Sequence, residues 1–305
     1  MHPRQLAHLE ARGGSRTDGR APLYIKQLKM EMISGKTSLV GLLGEPVNHS
    51  LSPVIHNAAM QEMGLDWCYL AMPCESKNLN VVTKALLNLN CKGLNITIPH
   101  KQSALNICKT ISPLAKKLGA VNTLIPNQEQ GWTGDNTDVE GFLAPLKVKE
   151  WKGKKAIIIG CGGSARAVMA GLENLDIKDI LVIGRNKNSL NSFLKDLTPQ
   201  NLNLRKSKIH LKGLLSEDND ISNHIKKADL IINATPIGMY GKNTQASESN
   251  EIPLGEKIWQ NLEAKTILYD LIYTPRPTAW LTLGAQKGCT AIDGLEMLIQ
   301  QAAAS

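Results

Sequence analysis

Ile157-Ile158-Ile159-Gly160-Cys161-Gly162-Gly163-Ser164-Ala165 is the stretch that decides the fold of this chain. Its first part is typical of a buried strand, and the glycines that follow match the G-x-G-x-x-A turn before a helix. Gly160 permits the tight turn, Gly162 lets the backbone approach a pyrophosphate, and Ala165 keeps the helix close to the sheet. The free N–H groups of the helix N-terminus then favour phosphate. The stretch predicts a Rossmann-type dinucleotide site.

The next strand indicates which dinucleotide binds. Leu181-Val182-Ile183 runs into Gly184-Arg185-Asn186, where an NAD site usually carries an acidic residue for the ribose 2′-OH. Arginine suits a 2′-phosphate, which it holds by bidentate, charge-assisted hydrogen bonds. We therefore expect NADP(H) as the cofactor. Glycine-rich turns also occur in flavin, nucleotide and methyl-donor domains, but the strand, helix and second strand here have the spacing of a βαβ unit.

Composition describes an ordinary globular chain of 305 residues, long enough for two domains. No apolar run is long enough to cross a membrane, so we expect no membrane partner. The six cysteines form no C-x-x-C pair, which favours free thiols and a cytoplasmic location. Scattered histidines predict no metal site. The chain has no aromatic–basic stripe, so nucleic-acid binding is not expected.

The formal net charge of +8 is concentrated near the N-terminus. The first 30 residues carry six basic and two acidic side chains, with Gly13-Gly14-Ser15 and little apolar periodicity. We expect residues 1–34 to be a disordered or leader extension.

Strand-like and helix-like segments alternate, which predicts α/β architecture with largely parallel sheets. The predicted strands are 38–43, 67–72, 94–98, 121–125, 131–133, 230–233 and 267–270, besides the two already quoted. The predicted helices are 53–63, 79–89, 103–108, 113–118, 139–146, 165–175, 278–287 and 295–303, with Ser52 as the N-cap of the first. Residues 198–223 are polar and predict little regular structure. We expect a substrate domain over 35–137, completed by 294–305, and a Rossmann domain over 138–293, separated by a cleft.

Six blocks rich in polar residues and glycine follow one another along the chain. They are 44–57 (GEPVNHSLSPVIHN), 93–101 (GLNITIPHK), 119–123 with 134–142 (GAVNT, GDNTDVEGF), 233–239 (NATPIGM), 270–275 (DLIYTP) and 293–301 (DGLEMLIQQ). Together they resemble the shikimate dehydrogenase family, from about Leu39 to the C-terminus. The resemblance implies reversible, NADPH-dependent reduction of 3-dehydroshikimate to shikimate in aromatic amino-acid biosynthesis.

The resemblance also implies roles for individual residues. Lys101 becomes the acid/base catalyst and Asp138 its partner, since a lysine and an aspartate beside a carbinol can move a proton. Taken alone, a lysine after a strand is usually a solvated surface charge. The implied substrate-binding residues are Ser50, Ser52, Asn95, Thr97, Asn122, Asp138, Tyr273 and Gln301. Hydroxyls and free N–H groups at a helix start suit a carboxylate, although the residues alone favour Ser52 as a simple N-cap.

The implied cofactor-binding residues lie in the second half of the chain. They are Gly160, Cys161, Gly162, Gly163, Ser164, Gly184, Arg185, Asn186, Thr235, Met239, Leu271 and Gly294. Core packing is an equal alternative for Met239. The chain departs from the family pattern at Gly184, where many members carry asparagine, and at Gln102, where glutamate is more common. The first departure predicts a weaker preference for NADP.

Two other functions stay open from the sequence. One is a quinate/shikimate dehydrogenase that uses NAD or NADP, which an acidic residue after the second Rossmann strand would favour. The other is a non-catalytic relative that senses a metabolite, against which the intact Lys101 and Asp138 argue. Monomer and homodimer are both compatible with the sequence.

Overall fold

The computed structural model describes residues 33–127, 131–147, 151, 154–197, 209–239 and 250–305. Almost all of the expected N-terminal extension, residues 1–34, lies outside the described residues. Within them the chain is a two-domain α/β fold built on two six-stranded sheets.

The first sheet is mixed. Its strands are β1 (Ser38–Gly44), β2 (Trp67–Pro73), β3 (Gly93–Ile96), β4 (Cys108–Ile111), β5 (Thr123–Asn127) and β6 (Gly131–Asp135), in the order β2-β1-β3-β5-β6-β4. Strand β1 pairs in parallel with β2 and β3, whereas β5 is antiparallel to both β3 and β6. The helices are α1 (Ser52–Glu62), α2 (Leu79–Asn88) and α3 (Pro113–Leu118). The expected helix at 103–108 is a 3₁₀ turn, Ser103–Ile107, followed directly by β4.

The second sheet is entirely parallel. Its strands are β7 (Lys155–Ile159), β8 (Asp179–Gly184), β9 (His210–Leu215), β10 (Leu230–Asn233), β11 (Ile267–Asp270) and β12 (Thr290–Ile292). The order β9-β8-β7-β10-β11-β12 is that of the Rossmann fold, in which ligands bind where the strand order reverses, here between β7 and β10. The helices are α4 (Asp138–Leu143), α5 (Gly163–Asn174), α6 (Lys187–Asp196), α7 (Ile221–Lys226), α8 (Ala279–Gln286) and α9 (Leu295–Ala304).

Strand β7 shows why the second sheet is covered on both faces. Ile158 belongs to one buried cluster with residues of α5 and α6, while Ile157 and Ile159 belong to a second cluster with residues of α7 and α8. Successive side chains of a strand point to opposite faces, so a continuous apolar run requires apolar cover on each side. This packing confirms the predicted buried strand.

Helix α9 returns from the second sheet and packs on α4 and α1. The contact with α4 is close, because a Cβ at Gly141 would lie 2.6 Å from the carbonyl oxygen of Met297. The ring of Phe142, also in α4, stacks on Tyr269 of β11 with centroids 5.3 Å apart. Helices α4 and α9 therefore connect the two sheets and bring Gln301 to the substrate half.

The prediction of weak structure over 198–223 is wrong for its second part. The structure has β9 and α7 between residues 209 and 226, while residues 198–208 lie outside the described residues. Strand β9 is at the sheet edge, where its side chains are exposed or only partly buried, so it lacks the apolar run that identified the central strands. Strands β4 and β12, also at sheet edges, were missed for the same reason.

Candidate active site

An ion pair lies at the N-terminus of α4. Lys101 Nζ donates to Asp138 Oδ2 at 2.6 Å, and Asn122 Nδ2 donates to Asp138 Oδ1 at 2.9 Å. The two charged side chains are only 12% and 4% exposed. Both carboxylate oxygens therefore have a donor, which is what a buried charge requires. Lys101 is not the solvated surface lysine that its position after a strand alone would suggest.

The amide of Asn122 is fixed by its neighbours. Its Oδ1 accepts from Thr137 N and from Thr123 Oγ1, both at 2.9 Å. Its Nδ2 also lies 2.9 Å from Thr137 Oγ1 and 3.5 Å from Gln301 Oε1. Since the oxygen already faces donors, the NH₂ group is left to point at Asp138. Helix α9 thus brings Gln301 into the same network as the ion pair.

Asn95 joins this network from β3. Its Oδ1 accepts from the hydroxyl of Tyr69 at 2.8 Å, and its Nδ2 lies 3.4 Å from Thr123 Oγ1. Burial raises the pKa of Tyr69, an effect partly opposed by a hydrogen bond with Ser52, so the phenol stays protonated at neutral pH. Tyr69 therefore connects Ser52 with Asn95.

Ser50, just before α1, lies beside Tyr273. The prediction of Ser52 as N-cap is wrong: α1 begins at Ser52, its N-cap is Leu51, and no side chain caps the helix. Instead Ser50 Oγ accepts from Ser52 N at 3.2 Å, and the Ser52 hydroxyl is engaged with Tyr69. Burial raises the pKa of Tyr273, while hydrogen bonds with the Ser50 side chain and the Leu51 backbone oppose this rise. Tyr273, from the second half of the chain, thus reaches the loop 45–51 that precedes α1.

Thr97 follows β3 and lies beside the end of β1. Its backbone N–H donates to Leu43 O at 2.9 Å, and its methyl group would collide with a Cβ at Gly44. This packing fixes Thr97 beside the end of β1, four residues before Lys101 along the chain.

The glycine turn lies between β7 and α5. Gly160 has φ +113°, a backbone conformation that strongly favours glycine, and a Cβ there would meet the Ala234 carbonyl at 3.0 Å. A Cβ at Gly162 would meet nothing within 4 Å, so open space faces the backbone of the turn. Ala165 is fully buried against the sheet, as predicted. The first N–H groups of a helix lack intrahelical partners and suit a diphosphate, so this turn fits a dinucleotide.

The same turn touches the catalytic candidate. A Cβ on Gly163 would lie 2.9 Å from Lys101 Cβ and 3.2 Å from Lys101 Cδ. The alkyl chain of Lys101 therefore packs on the first residue of α5. The glycine turn and the ion pair are neighbours, although the turn follows a strand of the second sheet and Lys101 follows a strand of the first.

The surroundings of Gly184, at the end of β8, leave no room for a side chain. A Cβ there would lie 2.9 Å from Cys161 Sγ and 3.2 Å from Leu190 Cβ. The thiol of Cys161, whose pKa burial raises to about 11, fills the space that a side chain at position 184 would need. Arg185 is exposed and available to a 2′-phosphate. Asn186 caps α6, since its Oδ1 accepts from Ser189 N at 3.0 Å.

The remaining cofactor candidates lie after β10 and β11. Thr235 Oγ1 donates to Asn233 Oδ1 at 2.7 Å, and Met239 is half-buried in the turn that follows. Leu271 N donates to Asn233 O at 3.1 Å. A Cβ at Gly294 would collide with the carbonyl oxygen of Leu271, so glycine is required there by the protein's own backbone. All of these residues lie at the carboxyl ends of parallel strands or at the N-terminus of α9.

A buried carboxylate, that of Asp270, lies next to the segments that follow β10 and β11. Asp270 is fully buried and accepts from Asn233 Nδ2 at 3.0 Å, Thr278 Oγ1 at 2.7 Å and Ile272 N at 3.2 Å. Burial raises its pKa to about 6, and these hydrogen bonds oppose the rise. Asp270 thus ties the loop after β10 to the loop after β11.

Sequence reasoning missed Thr137 and Tyr69. Thr137 Oγ1 donates to Gln301 O at 3.0 Å, and its backbone fixes Asn122. Thr137 lies in the block Gly134–Phe142, next to Asp138, which was a usable signal. Tyr69 lies in an ordinary strand pattern, so only its tertiary contacts reveal it.

Two absences within the described residues bear on other functions. Among them no group of three or more histidine, cysteine, aspartate or glutamate side chains could hold a metal ion. No helix in this part of the chain is long and apolar enough to cross a membrane.

Known proteins resemble this chain over most of its length. A family model described as the shikimate dehydrogenase substrate binding domain matches residues 42–124. A shikimate dehydrogenase (NADP(+)) of Prochlorococcus marinus (strain MIT 9215) is 50% identical over 270 residues, covering 88% of this chain and 91% of the relative. This chain belongs to the shikimate dehydrogenase family.

Solved structures of shikimate dehydrogenases share the fold. A crystal structure of shikimate dehydrogenase in complex with NADP+ superposes with a TM-score of 0.75 at 33% identity and covers 90% of each chain. The enzyme from Thermus thermophilus, in complex with NADP(H) and shikimate, gives a TM-score of 0.71 at 28% identity, covering 88% of this chain and 91% of that one. Similarity to the family thus extends over both halves of the molecule.

Proposed function

We propose that this shikimate dehydrogenase family member catalyses the reversible, NADPH-dependent reduction of 3-dehydroshikimate to shikimate. The observation that carries the proposal is the buried pair of Lys101 and Asp138 next to the glycine turn. The lysine can exchange a proton with a carbinol oxygen, and Gly163 at its alkyl chain marks the start of the phosphate-binding helix. Membership of the family and the relatives' names support the substrate and the cofactor.

In this mechanism Lys101 supplies the proton. NADPH, when bound, supplies the hydride that reduces the carbonyl carbon. The ammonium group of Lys101 donates a proton to the oxygen of the substrate as negative charge develops there, and it takes the proton back in the reverse direction. Asp138 accepts a hydrogen bond from Lys101 and fixes its position, while Asn122 orients Asp138. Because these groups are positioned before the substrate arrives, little reorganisation opposes the reaction.

The other predicted site residues have complementary tasks. Ser50, Ser52 and Tyr273 bind the substrate carboxylate, since the hydroxyls of Ser50 and Tyr273 are hydrogen-bonded to each other just before α1, which begins at Ser52. Asn95, Thr97, Asn122 and Gln301 bind the ring hydroxyls. Residues 160–164 hold the diphosphate of NADP(H), Arg185 and Asn186 hold the 2′-phosphate and adenine, and Thr235, Met239, Leu271 and Gly294 surround the nicotinamide. Gly184 leaves room for Cys161.

Replacement of Lys101 tests the proton-transfer step. We expect Lys101→Ala to lower kcat at least ~100-fold, the usual contribution of a positioned acid/base. Its matched control is Lys84→Ala, which removes an exposed lysine of the same half and should leave kcat unchanged. Near-normal turnover of a folded Lys101→Ala variant would contradict the assigned role.

The cofactor and substrate are tested together. Purified chain is given 3-dehydroshikimate with NADPH or NADH at equal concentration, and in the reverse direction shikimate or quinate with NADP+ or NAD+. We expect turnover to favour NADPH and shikimate. Equal rates with NADH, or comparable rates with quinate, would support a quinate/shikimate dehydrogenase. Ligand binding without turnover in a folded sample would support a non-catalytic, metabolite-sensing relative.

Three further expectations are part of this proposal. The substrate domain comprises residues 35–137 with 294–305, and the Rossmann domain residues 138–293, which is supported by the distribution of the strands over two sheets. A cytoplasmic location is supported by six free cysteines. Assembly as a homodimer is tested by light scattering of the purified chain at micromolar concentration.

A further inference from the structure

The first turn of α5 contacts the loop 97–102, which carries Lys101 and is called the Lys101 loop below, with two residues. Gly163 packs on the alkyl chain of Lys101, as described above. Arg166 follows three positions later, and residues three apart lie on the same side of a helix. This side of α5 therefore faces the substrate half, while the N-terminus of the same helix faces the proposed diphosphate position.

Arg166 is a buried cation with partners on three segments. It is 6% exposed, its Nη1 donates to Leu118 O at 3.1 Å, and its Nη2 donates to Asp196 Oδ2 at 2.6 Å. With the amide of Gln102 oriented so that its oxygen faces the guanidinium, that oxygen accepts from Nε at 2.7 Å and from Nη2 at 3.2 Å. Leu118 and Gln102 belong to the substrate half, whereas Asp196 lies on α6.

The contacts of Arg166 with Gln102 and Leu118 reach two chain segments of the ion-pair network. One carries Lys101 and the other leads to Asn122. Gln102 directly follows Lys101, whose carbonyl oxygen accepts from Val121 N at 2.7 Å. Leu118 ends α3, just before the segment that leads to Asn122. The guanidinium also occupies the space beside Gly119, where a Cβ would lie 2.9 Å from Nη1. Arg166 thus holds the Lys101 loop and the loop after α3 against each other.

We propose that Arg166 is a positioning residue for proton transfer, which fixes the Lys101 loop to the helix that receives the cofactor diphosphate. It acts through Gln102 and Leu118 and does not touch the reacting atoms. Lysine has a long flexible side chain, and a misplacement of about 1 Å at a reacting group can lower the rate ~100-fold. The proposal rests on the proposed function, because Lys101 must be the proton donor for its position to matter.

Gln102→Leu is the central variant of the test. It removes the acceptor at nearly constant volume, and Gln102 is exposed, so we expect this variant to fold. The matched control is Asp196→Asn. It weakens the ion pair between Arg166 and Asp196, a contact on α6 that does not lead to the Lys101 loop. Arg166→Met removes the cation itself, and the double variant Gln102→Leu/Arg166→Met shows whether the two residues act together. Urea unfolding establishes that each variant is folded.

Two readouts separate positioning from a merely structural role. We expect Gln102→Leu to lower kcat about tenfold while the Kd for NADPH changes less than threefold. In the protein without ligands, we expect acetic anhydride to modify Lys101 several times faster in Gln102→Leu, measured by peptide mass spectrometry. Asp196→Asn should change neither quantity more than twofold, and the double variant should equal Arg166→Met.

The outcomes are distinguishable from failure of the proposed function. If the parent chain has no turnover, the modification rate of Lys101 still reports its position, and an increase in Gln102→Leu supports the contact. Unchanged kcat and unchanged Lys101 modification in Gln102→Leu overturn the proposal. Equal effects of Asp196→Asn and Gln102→Leu also overturn it, because they would indicate general destabilisation. If Arg166→Met does not fold, the comparison of the two milder variants decides alone.

Discussion

The pair formed by Cys161 and Gly184 yields a prediction that does not depend on the reaction. A side chain at position 184 would begin 2.9 Å from Cys161 Sγ and 3.2 Å from Leu190 Cβ. Ordinary carbon contacts start at 3.4 Å or more, so the thiol or β8 must move by several tenths of an ångström. Overpacking of this kind costs about 1–3 kcal/mol. We expect Gly184→Asn, which introduces the residue common in the family, to lower the free energy of unfolding by that amount.

Removal of the thiol should relieve the collision. Cys161→Ala alone should cost about 1 kcal/mol, because it empties a partly buried volume. In the double variant Cys161→Ala/Gly184→Asn the new side chain occupies that volume, so the two costs do not add. We expect a favourable coupling free energy of about 1–2 kcal/mol, within the range for residues in contact.

Urea unfolding followed by tryptophan fluorescence measures this cycle, since the chain contains five tryptophans. The four proteins are compared at constant m-value, so that the midpoint reports stability. Additivity within about 0.5 kcal/mol would refute the steric reasoning. The same proteins test the resemblance: if asparagine at this position contacts the 2′-phosphate, the ratio of kcat/KM for NADPH over NADH should rise in the double variant.

Two further predictions concern single charges. Arg185→Gln should lower kcat/KM for NADPH about 10- to 100-fold and leave kcat/KM for NADH unchanged, because hydrogen bonds to a charged group contribute about 1.5–3 kcal/mol. The control is Lys178→Gln, which makes the same charge change just before β8. Equal losses with both cofactors would exclude a contact between Arg185 and the 2′-phosphate. Asp270→Asn should change the pH dependence of stability, because burial raises the pKa of Asp270 from 3.8 to about 6 and the folded state then binds more protons than the unfolded state between these values. This group therefore lowers the free energy of unfolding as pH rises from 4 to 6, by roughly 3 kcal/mol. The stability of Asp270→Asn relative to the parent should rise by about that amount between pH 4 and pH 7, and a difference independent of pH would contradict the prediction.

Much of the site could be predicted from local sequence. The glycine turn after β7 and Arg185 after β8 follow from a few neighbouring residues, whereas the role of Asp138 came only from the family resemblance. Lys101 was different, since a lysine after a strand is usually exposed. Only the ordered set of polar blocks singled it out, and only the structure shows it buried against Asp138.

The sequence by itself determined the α/β class, the parallel Rossmann sheet and the position of its glycine turn, because apolar periodicity and glycine patterns are local signals. Tertiary structure alone decided what depends on distant residues. Strand β9 forms because β8 supplies its hydrogen bonds, although its own side chains are only half apolar. Gly184 is glycine because Cys161 lies beside it, and Arg166 is buried because Leu118 and Gln102 of the substrate half accept its hydrogen bonds. Such contacts join positions far apart along the chain, where a single sequence carries no signal of proximity.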